Sequence, residues 1–203
     1  MGRRRKQRQE EKQEGKLLHT ITDWTVGVIA VVALAVFFVQ MLGRQAQVVG
    51  HSMEPVLEAG DTVLVDRLSY HLFSVERFDV VLFQNPQSPQ QNYMKRVIGL
   101  PGETVQIQNG SVYIDGVLLS GEGWARTYTV AGLAETPVYL GEDEYFLLGD
   151  NGDSSEDSRF AIVGNVHRDQ ILGKVWLRVS PFSQFGFLDS PEEAAAALAQ
   201  EDS

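Results

Sequence analysis

Hydrophobic and polar positions divide the chain into three stretches. The first is polar and basic, the second uniformly apolar, and the third breaks into short runs that alternate apolar and polar residues. The apolar stretch, Ile21 to Leu42, carries no charged residue from Trp24 onward. About twenty residues at a rise of 1.5 Å cross a hydrocarbon layer of roughly 30 Å. The pattern therefore predicts a transmembrane helix over residues 21–42, with Trp24 as an interfacial aromatic. A cleavable leader with its apolar region at Val26–Val39 fits less well. The run is longer than such regions, and Gln45-Ala46-Gln47 is a poor cleavage site.

Downstream, the period changes to two. Residues 62–65, 79–83, 105–108, 111–114, 145–148 and 171–177 read as strands. Asn109-Gly110 stands between two alternating runs, a strong short-range hairpin signal, and Asp115-Gly116 marks the next turn. No long 3.6-residue period appears in this body. The fold class expected is mainly β, with many short, mostly antiparallel strands and one N-terminal transmembrane helix. The divisions predicted are a basic arm over 1–20, the helix over 21–42, a β-domain over 43–190 with a small accessory β region at about 104–144, and a tail over 191–203 that is helical and frayed or disordered.

Charge adds an orientation. The net charge of −10 conceals seven Lys/Arg against three Glu up to Lys16, and ten against twenty-four acidic residues afterwards. Basic residues before the span and only Arg44 just after it place the N-terminus in the cytoplasm and the acidic body outside. An acidic body does not offer the phosphate-neutralising surface of a nucleic-acid binder. The chain has no cysteine, which excludes disulfides, thiolate zinc sites and a cysteine nucleophile. The four histidines, His19, His51, His71 and His167, show no metal-ligand spacing. No metal or organic cofactor is implied, and the molecule is expected to be a monomer.

Four segments concentrate polar and turn-forming residues beside strands: residues 50–57 (GHSMEPVL), 60–65 (GDTVLV), 93–103 (YMKRVIGLPGE) and 149–159 (GDNGDSSEDSR). Each has an ordinary reading alone: a loop serine, a solvated Lys-Arg pair, or an acidic turn without calcium-loop spacing. Together, in this order and downstream of an anchor, they resemble the signature boxes of the type I signal peptidase family. Those boxes are Ser-Met-x-Pro, Gly-Asp-x-Val-x-Val, Lys-Arg-x-x-Gly-x-Pro-Gly and Gly-Asp-Asn…Ser-x-Asp-Ser-Arg, and the match extends from about Gly50 to Arg178.

The resemblance implies a membrane-bound serine endopeptidase that removes signal peptides from exported preproteins after small residues, in an Ala-x-Ala pattern. It makes Ser52 the nucleophile and Lys95 the general base. Chemistry allows this pairing: a serine hydroxyl needs a base, and a lysine serves as one only when burial lowers its pKa from about 10.4. By the same resemblance Ser155 orients the lysine, Asp157 and Arg159 form a shaping pair, and Asp150 pairs with Arg96. Candidate walls of the substrate pockets are Val48, Val49, Met53, Leu57, Tyr93 and Met94, each equally readable as core. His51 adjoins Ser52 and so should point away from its hydroxyl.

Three departures from the family pattern stand out. Gly50 occupies a position that carries an oxyanion-hole serine in some members, so the backbone N–H of Ser52 lacks an assigned partner donor. Gly152 replaces a common arginine, and Phe160–Gly164 lengthens the link to the next glycine. Three rival readings remain: a self-cleaving repressor-type Ser-Lys protease, which the span and acidic body disfavour; an inactive tethered β-domain; and a peptidase restricted to pilin-like or sortase-related substrates.

Overall fold

A computed structural model describes residues 24–35, 37, 43–67, 75–85, 87, 91–119 and 126–188. The predicted basic arm and C-terminal tail lie outside the described residues, as do parts of the expected span at 21–23, 36 and 38–42. Residues 24–35 are helical, and Trp24, Ile29 and Phe37 are exposed. Among the described residues no helix is long and apolar enough to cross a membrane. The chain divides into two units, residues 1–42 and 43–203.

Among the described residues the second unit holds twelve strands. They are β1 (Gly43–Gln47), β2 (Thr62–Asp66), β3 (Val80–Gln84), β4 (Asn92–Gly99), β5 (Thr104–Gln108), β6 (Ser111–Ile114), β7 (Val117–Leu118), β8 (Val138–Tyr139), β9 (Glu144–Leu148), β10 (Val166–His167), β11 (Ile171–Ser180) and β12 (Gly186–Phe187). The larger sheet runs β1-β2-β11-β3-β4-β9-β10, with β12 added on β11, and all its pairings are antiparallel. A separate four-stranded sheet, β7-β6-β5-β8, falls within residues 104–139. Its central hairpin turns at Asn109 and Gly110, with φ of 51° and 82°, the left-handed pair that a two-residue turn matched to strand twist requires.

Sequence and observed elements agree where apolar residues alternate. In β5 and β6, Val105, Ile107, Val112 and Ile114 are buried while Gln106 and Tyr113 face outward, partly exposed. They form one apolar cluster with Ile98, Phe146 and Leu148. A second cluster joins Val48, Met53, Leu57, Val63, Val65 and Met94. Burying each such aliphatic side chain stabilises the fold by about 1.5–3 kcal/mol relative to exposure. This second cluster seats the loop after β1 against β2 and β4, and that contact positions the candidate chemistry.

Candidate active site

Ser52 lies in the turn-rich loop after β1, and Lys95 lies inside β4. Met53 and Leu57, on either side of a turn closed by the Leu57 N–H to the Met53 carbonyl at 2.9 Å, plug the loop into the core. On the other flank the Val48 N–H donates to Asp61 O at 2.8 Å, and the Gly60 N–H to Val48 O at 2.9 Å. Between these anchors Ser52 stays partly exposed, and its Oγ lies 2.7 Å from Lys95 Nζ.

Successive strand residues point to opposite faces, so neighbouring cations in β4 diverge. Lys95 turns to Ser52, while Arg96 makes a two-pronged pair with Asp150, Nε to Oδ1 at 2.7 Å and the second nitrogen to Oδ2 at 2.5 Å. Lys95 is 2% exposed and has no carboxylate in ion-pair contact among the described residues. Burial lowers its pKa from 10.5 to about 8, although the carboxylates of Asp157, Glu156 and Asp150 oppose the shift. Burial disfavours the charged form of an amine, and here it outweighs the field of the acidic neighbours.

Behind the lysine, Asp157 is fully buried and organises the wall. Arg159 donates to it from Nε at 2.8 Å and from a terminal nitrogen at 2.9 Å. Ser155 Oγ donates to it at 2.7 Å and the Gly149 N–H at 3.1 Å. Arg159 also donates to the carbonyls of Val130 at 2.8 Å and Gly152 at 2.7 Å, so its buried charge is well satisfied. Among the described residues no hydrogen bond joins Ser155 to Lys95. The single Ser155 proton goes to Asp157, which leaves the oxygen's lone pairs available to an ammonium.

Several contributors were not legible in the motifs. The Asn151 N–H donates to Ser52 O at 3.0 Å and ties the fourth segment to the serine's backbone. Tyr128 is buried, donates to Gly149 O at 3.0 Å and lies 4.8 Å beneath the Arg159 guanidinium; burial raises its phenol's pKa. Arg126 adds a second cation to Asp150 at 3.1 Å. The Gly152 departure also has a reason, since a Cβ there would sit 2.7 Å from the Tyr128 ring.

Gly149 has the tightest surroundings. A Cβ at this position would meet Ser155 Oγ at 2.2 Å, Ser155 Cβ at 2.5 Å and Ser52 O at 2.6 Å. Gly149→Ala is expected to push apart the serine loop and the Ser155 wall. Overpacking costs about 1–3 kcal/mol, and a displacement near 1 Å at a reacting group costs about 10²-fold in rate. Thermal unfolding and kcat on a peptide substrate check both effects. A variant with wild-type kcat would show that the contact is not positional.

A groove of about 990 Å³ opens in front of the serine. Val48, Val49, Met53, Tyr93 and Met94 line it, with Val49 88% exposed and the others largely covered. Leu57 is fully buried in the core and does not line the groove. His51 lines the rim, but its Nδ1 lies 2.6 Å from Glu54 Oε1, and the ring serves that carboxylate rather than Ser52. Gly50 has φ of +83°, and a Cβ there would meet nothing within 4 Å, so a side chain at this position would project into open space.

A hydroxyl held against a desolvated amine at the head of a groove is the arrangement of a nucleophile beside its base. The family model described as "Signal peptidase, peptidase S26" matches residues 21–180. A probable signal peptidase I-2 from Synechocystis is 30% identical over 92% of this chain and 85% of its own length. Signal peptidase I from Bacillus caldolyticus is 35% identical over 81% of this chain and 92% of its own. A solved signal peptidase I from Enterococcus faecalis is 32% identical, covering 50% of this chain and 97% of that one, with a TM-score of 0.42. The molecule is a serine peptidase. It belongs to the signal peptidase family, peptidase S26, and is of the type I kind.

Proposed function

We propose that this chain is a membrane-bound endopeptidase that removes signal peptides from exported preproteins after small residues, with Ser52 as nucleophile and neutral Lys95 as general base. The observation that carries the proposal is the 2.7 Å approach of Lys95 Nζ to Ser52 Oγ at a lysine that is 2% exposed. The cycle is acyl transfer. Lys95 takes the hydroxyl proton as Ser52 Oγ attacks the scissile carbonyl, and the resulting ammonium gives that proton to the leaving amine. Free again, the amine activates the water that releases the signal peptide from Ser52. The Ser52 N–H is the first donor to the developing oxyanion.

In this proposal Ser155, held by Asp157, orients the lysine, and Arg159 and the Arg96–Asp150 pair keep the wall rigid. The substrate lies extended along the free edge of β1, as an added strand. Val48, Val49, Met53, Tyr93 and Met94 shape shallow pockets for the first and third residues before the cut. The apolar run 21–42 anchors the chain in the bilayer, with residues 1–20 cytoplasmic and the monomeric β-domain extracytoplasmic.

Peptides with an Ala-x-Ala site test the specificity. Changing either Ala to Leu is expected to lower kcat/KM by about 10²-fold or more, since a shallow pocket meets the larger side chain as a clash. Equal cleavage of the Leu peptides, or a cut displaced from the second Ala, would contradict the assignment.

A further inference from the structure

In the acidic β-domain, most of the described cations have an anionic partner. Arg77, Arg96, Arg126, Arg159, Lys174 and Arg178 each lie within 3.3 Å of a carboxylate. Lys95 is committed to Ser52. Arg44 and Arg67 make no ion pair among the described residues, both are exposed, and both line the groove that holds Ser52.

Their placement follows from strand register. Arg44 of β1 is directly opposite Val65 of β2, and Arg67 stands two residues past Val65. Side chains two apart share a face, so Arg44, Ala46 and Val48 on one strand and Val65 and Arg67 on the other face the same side. All five residues line the groove. Arg44 and Arg67 are thus diagonal neighbours, roughly 7–8 Å apart between backbones in a continuing ladder, and like charges at such a spacing destabilise each other. Near Ser52 the groove holds a carboxylate, exposed Glu156, as well as Lys95. Glu156 and Lys95 offset one another at the reacting end, and the unbalanced positive charge of the groove lies at its far end.

We propose that Arg44 and Arg67 form a specificity subsite that takes a substrate carboxylate, an Asp or Glu on the signal-peptide side of the cut. This rests on the substrate lying along β1 from Ser52, as proposed above. A strand advances about 3.3 Å per residue, so Arg44 lies about four positions beyond the substrate residue that faces Val48. With Val48 serving the residues just before the cut, the carboxylate falls roughly five to seven residues before it. An anion at this point relieves the Arg–Arg repulsion and balances the positive end of the groove.

The test uses the full chain carrying Ser52→Ala in detergent, so that the readout is binding and not turnover. Labelled Ala-x-Ala peptides carry Glu or Gln at one of positions five, six or seven before the cut. The expected result is a Glu-over-Gln affinity ratio of about threefold to tenfold at one position. That ratio falls as salt rises, drops to about one in Arg44→Gln/Arg67→Gln, and inverts toward a Lys peptide in Arg44→Glu/Arg67→Glu. A ratio of one at all three positions, or one unchanged by the double substitution, overturns the proposal. So does a ratio of one accompanied by arginine-dependent binding to phosphatidylglycerol vesicles, which would assign the pair to lipid headgroups. Cleavage of the Gln peptides by the unsubstituted chain, run in parallel, reports separately on the Ser52–Lys95 assignment.

Discussion

Lys95→Ala is expected to lower kcat on an Ala-x-Ala substrate by about 10³–10⁴-fold while leaving KM nearly unchanged. In the proposed cycle Lys95 moves a proton in both acylation and deacylation, and a positioned acid–base group contributes about 10²–10⁴-fold. Its protonation state decides its activity as a base. With a pKa of about 8, roughly a tenth of the lysine is neutral at pH 7, against about 0.03% at its ordinary value of 10.5. The neutral amine is the active form, so kcat/KM of the unsubstituted chain should rise with pH through about 8 and level off above it. Lys95→Arg should be as inactive as the alanine variant, because a guanidinium holds its proton throughout that range. A rate that does not change with pH across this range would contradict the assignment of the base to Lys95.

Asp157→Ala should have the largest effect on the fold. This carboxylate is fully buried and accepts from Arg159, Ser155 and Gly149. Its removal leaves a buried guanidinium without its counter-charge, a change that costs about 3–5 kcal/mol. For a chain of this size each kcal/mol lowers Tm by about 2–4 °C, so thermal unfolding should shift down by roughly 6–20 °C. Asp157→Asn preserves the shape and separates stability from chemistry. Asp157 is the strongest influence holding the Lys95 pKa up, so its neutralisation should move the midpoint of the pH–rate profile to lower pH. A variant with unchanged Tm and an unchanged profile would remove Asp157 from the account.

How much of this was readable beforehand depended on what each element had to bury. β5 and β6 alternate cleanly because one face packs on the core, and Asn109-Gly110 between them fixes the hairpin. β4 was obscured by its own charges. Asn92–Gly99 is buried from Met94 onward, yet two of its buried residues are Lys95 and Arg96, which interrupt the apolar signal of a central strand. β1, with the sequence GRQAQ, gives no strand signal at all; among the described residues it is an edge strand that pairs with β2. In the site, Ser52 and Lys95 were legible because their motifs are local. Tyr128, which is 21 residues from Gly149, and Arg126, which is 24 from Asp150, were not, because only the tertiary fold brings such partners together. The close approach of Gly149 to Ser52 and Ser155 was hidden for the same reason: a glycine in a turn-rich motif looks alike whether it relieves φ or makes room.

Parallel cleavage of one preprotein by the full chain and by Ser52→Ala tests whether Ser52 is the nucleophile, with product masses locating the bond and thermal unfolding confirming the fold of both. The account predicts a cut directly after the second small residue by the unsubstituted chain and a loss of at least about 10⁴-fold in Ser52→Ala at unchanged Tm. Cleavage at the same bond by Ser52→Ala within tenfold of the unsubstituted rate would contradict it.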